Sequence, residues 1–197
     1  REAIGKRSVW LAASTREGEE ALLLEAWRRV AVADALLVLV PRHPQRFDAV
    51  AALLQQEGWH FSRRSDGLPT ADAQVWLGDS MGEMVAYYTL ADLAFIGGSL
   101  LPLGGQNLIE AAACGCPVLV GPHTFNFQQA TEDAIASGAA LRVDGPEMLN
   151  ATVGSLFRAK TELAAMRVAA RQFAQAHQGA TGRTLVFIER WTGRAAC

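Results

Sequence analysis

The sequence predicts a doubly wound α/β fold on a parallel sheet, and three observations carry the prediction. Short apolar runs rich in Val, Leu and Ala alternate with longer stretches whose apolar residues recur at helical spacing. The short runs lack the apolar–polar alternation of a half-exposed strand, which is the pattern of strands buried on both faces. Half of the 197 residues are apolar, enough to fill one core of ordinary domain size.

The first strand falls at 8–14 (SVWLAAS), followed by helical periodicity over 18–32. Between them, Ser14 and Glu17 have the spacing of a capping box, which predicts free backbone N–H groups at a helix start. The second strand lies at 35–41 (ALLVLVP) and the second helix at 44–58. A weaker strand is predicted at 59–64, a stronger one at 73–78 (AQVWLG), and a helix at 81–91. The strand at 92–98 (DLAFIGG), the helix at 106–115 and the strand at 117–122 (PVLVGP) follow. A last weak strand is placed at 139–143, and a mainly helical segment runs from about 146 to 191. With no repeat and no low-complexity linker, the chain reads as a single domain over 1–197.

Composition excludes several functions. The 18 basic and 20 acidic residues mix along the chain for a net charge of −2, so no basic stripe marks a nucleic-acid groove. Cys114, Cys116 and Cys197 form an odd set without disulfide spacing, which fits a reducing, cytoplasmic setting. Cys114-Gly115-Cys116 lacks the further ligands of a four-ligand site, so no metal is expected. No apolar run approaches the roughly 18 residues of a membrane span, and the first ten residues lack a signal-peptide centre. A soluble chain without a membrane segment is the expectation.

In doubly wound sheets ligands sit beyond the carboxyl ends of the strands. The richest such loop here is GGSLLPLGGQNLIEA, 97–111. A glycine pair after a buried strand lets backbone turn sharply and approach a ligand closely, which fits Gly97 and Gly98. Gly104 and Gly105 precede a helix whose first-turn N–H groups favour an anion such as phosphate. Glu110, three residues after Asn107 and so on the same helix face, suits the two hydroxyls of a ribose. Phosphate above and ribose below describe a nucleotide; a plain loop with a solvated glutamate is the alternative.

The stretch FIGGSLLPLGGQNLIEAAACGCPVLVGPHTFNFQQ, together with AASTREGEE, LLVLVPRHPQRF, VWLGDSMGEM and GPHTFNFQ, resembles in order and spacing the Kdo transferases of lipopolysaccharide biosynthesis. These GT-B glycosyltransferases move 3-deoxy-D-manno-octulosonic acid (Kdo) from CMP-Kdo to lipid A precursor. The resemblance covers about Trp10 to Gln129 and implies a Rossmann-like C-terminal half that binds the donor. Gln106 stands where the family usually has histidine and Leu108 where proline is common. Family enzymes are about twice this length; the half carrying the acceptor site and the glutamate base has no counterpart in this sequence. No catalytic residue is therefore expected in this half.

The resemblance assigns CMP binding to Pro41 and Arg42, to Met81, Gly82 and Glu83, and to Asn107, Leu108, Ile109 and Glu110. Arg42 would reach the cytidine or its phosphate, Met81 to Glu83 would read the cytosine edge, and Glu110 would hold the ribose. Ser14, His43, Gly98, Ser99, Gly105, Gln106 and His123 stand as further donor or cleft contacts. The His43-Pro44 pair also resembles one in sialyltransferases, which use a CMP-sugar; a structural turn histidine is its alternative. The implied donor is CMP-Kdo without cofactor or metal. The implied acceptor is lipid A precursor, reached through the other half at the cytoplasmic face of the inner membrane. Two alternatives stand beside this reading: a GT-B half taking a UDP-sugar, and a non-catalytic nucleotide-binding or interaction domain.

Overall fold

Seven apolar runs pair into one sheet in the computed structural model, which describes residue 2, residues 4–30 and residues 32–177. The strands are β1 (Val9–Thr15), β2 (Leu36–Pro41), β3 (Phe61–Arg63), β4 (Val75–Leu77), β5 (Leu93–Ile96), β6 (Val118–Val120) and β7 (Ala140–Arg142). Their order is β3-β4-β2-β1-β5-β6-β7, and every neighbouring pair is parallel. The chain runs from β1 to β2, crosses to the edge strand β3, comes back to insert β4 between β3 and β2, and then places β5 on the other side of β1. The winding therefore reverses between β1 and β5, where such sheets open a crevice at the carboxyl ends of their strands.

Among the described residues seven α-helices cover the two faces: α1 (Glu19–Arg28), α2 (Phe47–Gln56), α3 (Met84–Leu90), α4 (Ile109–Ala113), α5 (Gln128–Ala136), α6 (Pro146–Arg158) and α7 (Lys160–His177). Alternate residues of β1 enter opposite cores, as the period of two requires. Trp10 and Ala12 join Leu23, Leu24, Leu54 and Phe157 on the face of α1, α2 and α6. Val9, Leu11 and Ala13 join Tyr87, Ala111 and Phe173 on the face of α3, α4 and α7. Every residue of β5 is buried, which explains why LAFI shows no alternation.

All seven predicted strands form, including the two weak ones. Helix starts differ. Helix α3 begins at Met84 rather than residue 81, and α4 at Ile109 rather than 106, because the residues before them are spent on turns. The Ser14–Glu17 capping box does not form: Ser14 lies in an irregularity of β1 with a φ of 56°, and β1 runs on to Thr15. Gly18 takes the N-cap without a side-chain bond, and Glu19 accepts the Arg16 N–H at 2.9 Å instead. The predicted helical segment is observed to His177; its remainder lies outside the described residues.

Close packing between strand ends makes one substitution diagnostic. A Cβ on Gly121, just after β6, would enter contact distance of the Ser99 carbonyl oxygen. Gly121→Ala should therefore destabilise the fold by roughly 1–3 kcal/mol through overpacking. Urea unfolding checks this; unchanged stability would mean that the two turns are not packed as described.

Candidate functional site

The carboxyl ends of β1 and β5 are joined by a carboxylate. Glu19, in the first turn of α1, has no solvent exposure. Its Oε2 accepts the Gly98 N–H at 2.6 Å in addition to the Arg16 N–H, and its Oε1 accepts the Leu100 N–H at 3.0 Å. Three backbone donors thus compensate a group whose burial would otherwise be costly. The neighbouring Glu20 is 1% exposed. Its Oε1 accepts from Thr15 Oγ1 at 2.8 Å and from Arg46 Nη1 at 2.6 Å.

The 97–100 turn held by Glu19 packs on the second glycine pair. Gly98 O accepts the Gly105 N–H at 2.7 Å, and Gly104 O accepts the Asn126 N–H at 3.0 Å. A Cβ on Gly97 would collide with the Ser14 carbonyl, and one on Gly104 with the Asn126 side chain. Gly97 and Gly104 thus make room for neighbouring loops. The Gly98 N–H is already spent on Glu19. The Ser99 side chain is fully buried; its hydroxyl donates to Ile96 O and accepts the Gly121 N–H at 2.8 Å.

Beyond that brace lie the groups that remain open. Asn107 Oδ1 accepts the Ile109 N–H at 2.9 Å, so Asn107 caps the turn into α4 from outside the helix. Leu108 is buried, Ile109 half-buried and Glu110 exposed, with no hydrogen-bond partner for the Glu110 carboxylate among the described residues. Helix α4 has only five residues, so its dipole is a smaller source of anion attraction than the sequence implied. Gly105 and Gln106 bring their loop alongside: the Gln106 Nε2 lies 3.3 Å from where a Gly98 Cβ would stand.

Two further loops share this rim. Pro41, buried at the end of β2, sits opposite Thr15, and the Arg42 N–H donates to Thr15 O at 2.9 Å. The Arg42 and His43 side chains are exposed and have no polar partner among the described residues. After β4, Met81 is 59% exposed, and Gly82 has a φ of 79° with open space where a Cβ would be. Glu83 is the N-cap of α3, its carbonyl accepting the Tyr87 N–H at 3.2 Å, while its carboxylate turns back to accept from the Ser80 hydroxyl and from Arg64 Nη2, the latter at 2.9 Å. Those two hydrogen bonds, Ser80 first, hold the Glu83 carboxyl below its usual range.

Asp79 anchors the base of the same turn. Its side chain is 1% exposed, and it accepts from Arg63 Nε at 2.6 Å and from the Ser65 N–H and Oγ at 2.8 and 2.7 Å. Burial pushes its carboxyl up, but the bonds from Ser65 and Arg63 outweigh that and leave it below 3.8. Across the rim, His123 donates its N–H to Ser99 O at 3.0 Å and lines a hollow of about 330 Å³ with Thr124, Phe125 and Arg142. Ser14 is half-buried at the centre of the rim.

The structure thus brings Ser14, Arg42, His43, Met81 to Glu83, Gly105 to Glu110 and His123 to the carboxyl ends of adjoining strands. Sequence reasoning missed Glu19, Glu20, Asp79, Arg63 and Arg64. For the first two the sequence offers only a cluster of acids after a buried strand, which does not tell the buried Glu19 and Glu20 from the exposed Glu17. A larger hollow of about 850 Å³ opens at the opposite, amino-terminal ends, where Arg28 lies 4.4 Å over the Trp59 ring. No cluster of three His, Cys, Asp or Glu that could hold a metal occurs among the described residues, and no described helix is long and apolar enough to cross a membrane.

No protein-family model matches the chain. It is 50% identical over 194 residues to a 3-deoxy-D-manno-octulosonic acid transferase of Bordetella pertussis, a match covering 95% of this chain and 45% of that protein. The chain thus spans about half the length of the full relatives it matches. It also matches the crystal structure of the C-terminal CMP-Kdo binding domain of WaaA from Acinetobacter baumannii. The TM-score is 0.83 at 33% identity, over 87% of this chain and 91% of that one. A likeness of fold alone extends to WaaG, a glycosyltransferase involved in lipopolysaccharide biosynthesis, at TM-score 0.61 and 18% identity over 87% of this chain and 43% of that one. The sheet and its helices are those of a GT-B C-terminal domain.

The Asp79 anchor has a defined pH signature. A carboxyl whose folded pKa lies below its unfolded value of 3.8 adds stability that is complete above that value and is lost as pH falls through the folded pKa. Asp79→Asn should cost roughly 1–3 kcal/mol at pH 7, and the gap from wild type should close in strong acid. Urea unfolding at several pH values checks this; a gap independent of pH would remove Asp79 from the ionic network.

Proposed function

The chain belongs to the 3-deoxy-D-manno-octulosonic acid transferase family, aligning with its C-terminal domain, and from that membership we propose that it is the CMP-Kdo-binding half of a Kdo transferase. The observation that carries the reading is the set of unspent groups on one rim. These are the Arg42 guanidinium after β2, the open Met81-Gly82 backbone after β4, and the Glu110 carboxylate at α4. An arginine fork suits a phosphate, closely approachable backbone suits the edge of a pyrimidine, and a free carboxylate suits two vicinal hydroxyls. Together they describe a cytidine monophosphate lying across the crevice between β1 and β5.

In this reading the transfer inverts the anomeric centre. A base from the other half of the enzyme takes the proton of the acceptor hydroxyl, while Arg42, His43 and backbone N–H groups absorb the charge of the departing CMP phosphate. That assignment needs no metal. The acceptor is lipid A precursor, bound outside this chain, and the complete enzyme works at the cytoplasmic face of the inner membrane.

Calorimetry on the purified chain tests the proposal. CMP should bind and UMP bind more weakly. Glu110→Gln should lower CMP affinity by on the order of 1–3 kcal/mol, and Arg42→Lys should weaken it despite the retained charge. Tighter binding of uridine nucleotides would replace the donor assignment, and no nucleotide binding at all would leave an interaction domain. With CMP-Kdo and lipid A precursor, transfer is expected only when the other half of the family enzyme is added.

A further inference from the structure

Two buried carboxylates adjoin in the first turn of α1, about 100° apart around the helix, and they reach in different directions. Capping the helix would need only the Arg16 N–H. The remaining bonds go elsewhere. Glu19 reaches Gly98 and Leu100, 79 and 81 residues away in sequence, and Glu20 reaches Arg46, 26 residues away.

From Glu19 the chain of contacts continues through Gly98 O to the Gly105 N–H, and so to the loop that delivers Asn107 and Glu110. From Glu20 it continues two ways into the loop of Arg42 and His43. Arg46 closes that loop, its N–H donating to His43 O at 3.0 Å, and Thr15, whose hydroxyl donates to Glu20, accepts the Arg42 N–H through its carbonyl. The two loops lie on opposite sides of β1, because β2 and β5 flank it. A single helical turn therefore spans the crevice.

We propose that Glu19 and Glu20 are positioning residues of the nucleotide site, Glu19 for the loop carrying Asn107 and Glu110 and Glu20 for the loop carrying Arg42 and His43. The inference takes its ligand from the donor-binding reading above, while its wiring is testable without any ligand. Glu19→Gln keeps one acceptor oxygen but turns an N–H₂ toward a backbone N–H. Glu20→Gln removes the charge that Arg46 pairs with.

Amide NMR spectra of the unliganded chain and CMP calorimetry test it together. Glu19→Gln should shift the resonances of Gly98, Leu100, Gly105 and Gln106 and leave Arg42 and His43 in place; Glu20→Gln should do the reverse. In calorimetry each variant should weaken CMP by about tenfold. Glu19→Gln should add little to Glu110→Gln yet add fully to Arg42→Lys, and Glu20→Gln should show the opposite coupling. Shifts spread evenly over both loops, or equal coupling to both partners, would reduce the pair to a helix cap and overturn the inference. If the wild-type chain binds no CMP, the donor reading falls and the spectra alone decide the wiring. Should a Gln variant fail to fold, Glu19→Asp and Arg46→Lys, which keep charge and alter reach, put the same question to each arm.

Discussion

A carboxylate enclosed by main chain is the constraint on which the rim depends. Glu19 has no solvent exposure and no ion-pair partner among the described residues; its compensation is three peptide N–H groups drawn from two loops. Such a group tolerates little displacement, because each lost donor exposes the desolvation cost of a buried acid. The sheet brings β1 and β5 side by side, and the carboxylate converts that proximity into a fixed relation between their loops. Ser99 and Gly121 extend the same brace to β6, through hydrogen bonds made at the bottom of the crevice rather than in it.

This divides the rim into two layers. The lower layer, from Thr15 and Glu19 to Ser99 and Gly121, is buried and its polar groups are satisfied internally. The upper layer carries side chains without hydrogen-bond partners among the described residues, Arg42, His43 and Glu110 among them. A polar group that spends no hydrogen bond on the described residues could meet a ligand without breaking bonds to them. The separation is chemically economical, since rigidity below supports recognition above.

Much of the fold was legible in the sequence because strands buried on both faces declare themselves as uninterrupted apolar runs. LLVLVP and LAFI are wholly buried, and even the three-residue β3 and β7 lay within predicted segments. Helix starts were less legible. QNLIEA has helical spacing, yet Asn107 bonds to its own chain two residues on and delays α4 to Ile109, a choice that periodicity does not register. The family resemblance pointed to residues that the structure leaves open on the rim, Arg42, Met81 and Glu110 among them. The rim's hidden supports were not legible, because nothing in EGEE distinguishes an acid that will be sealed between loops from one that will face water. Glu17 is exposed, Glu19 and Glu20 are buried, and only the tertiary contact decides which is which.

Gly82 has open space around it and a left-handed backbone. What excludes other residues there is therefore chirality alone. An L side chain would be resisted by its own backbone and not by any neighbour. A D-alanine, introduced by chemical synthesis, would not meet that backbone objection. It would narrow the conformations open to the turn while leaving its peptide groups where they are, so the mirror-image residue is the one that could stiffen this loop without reshaping it.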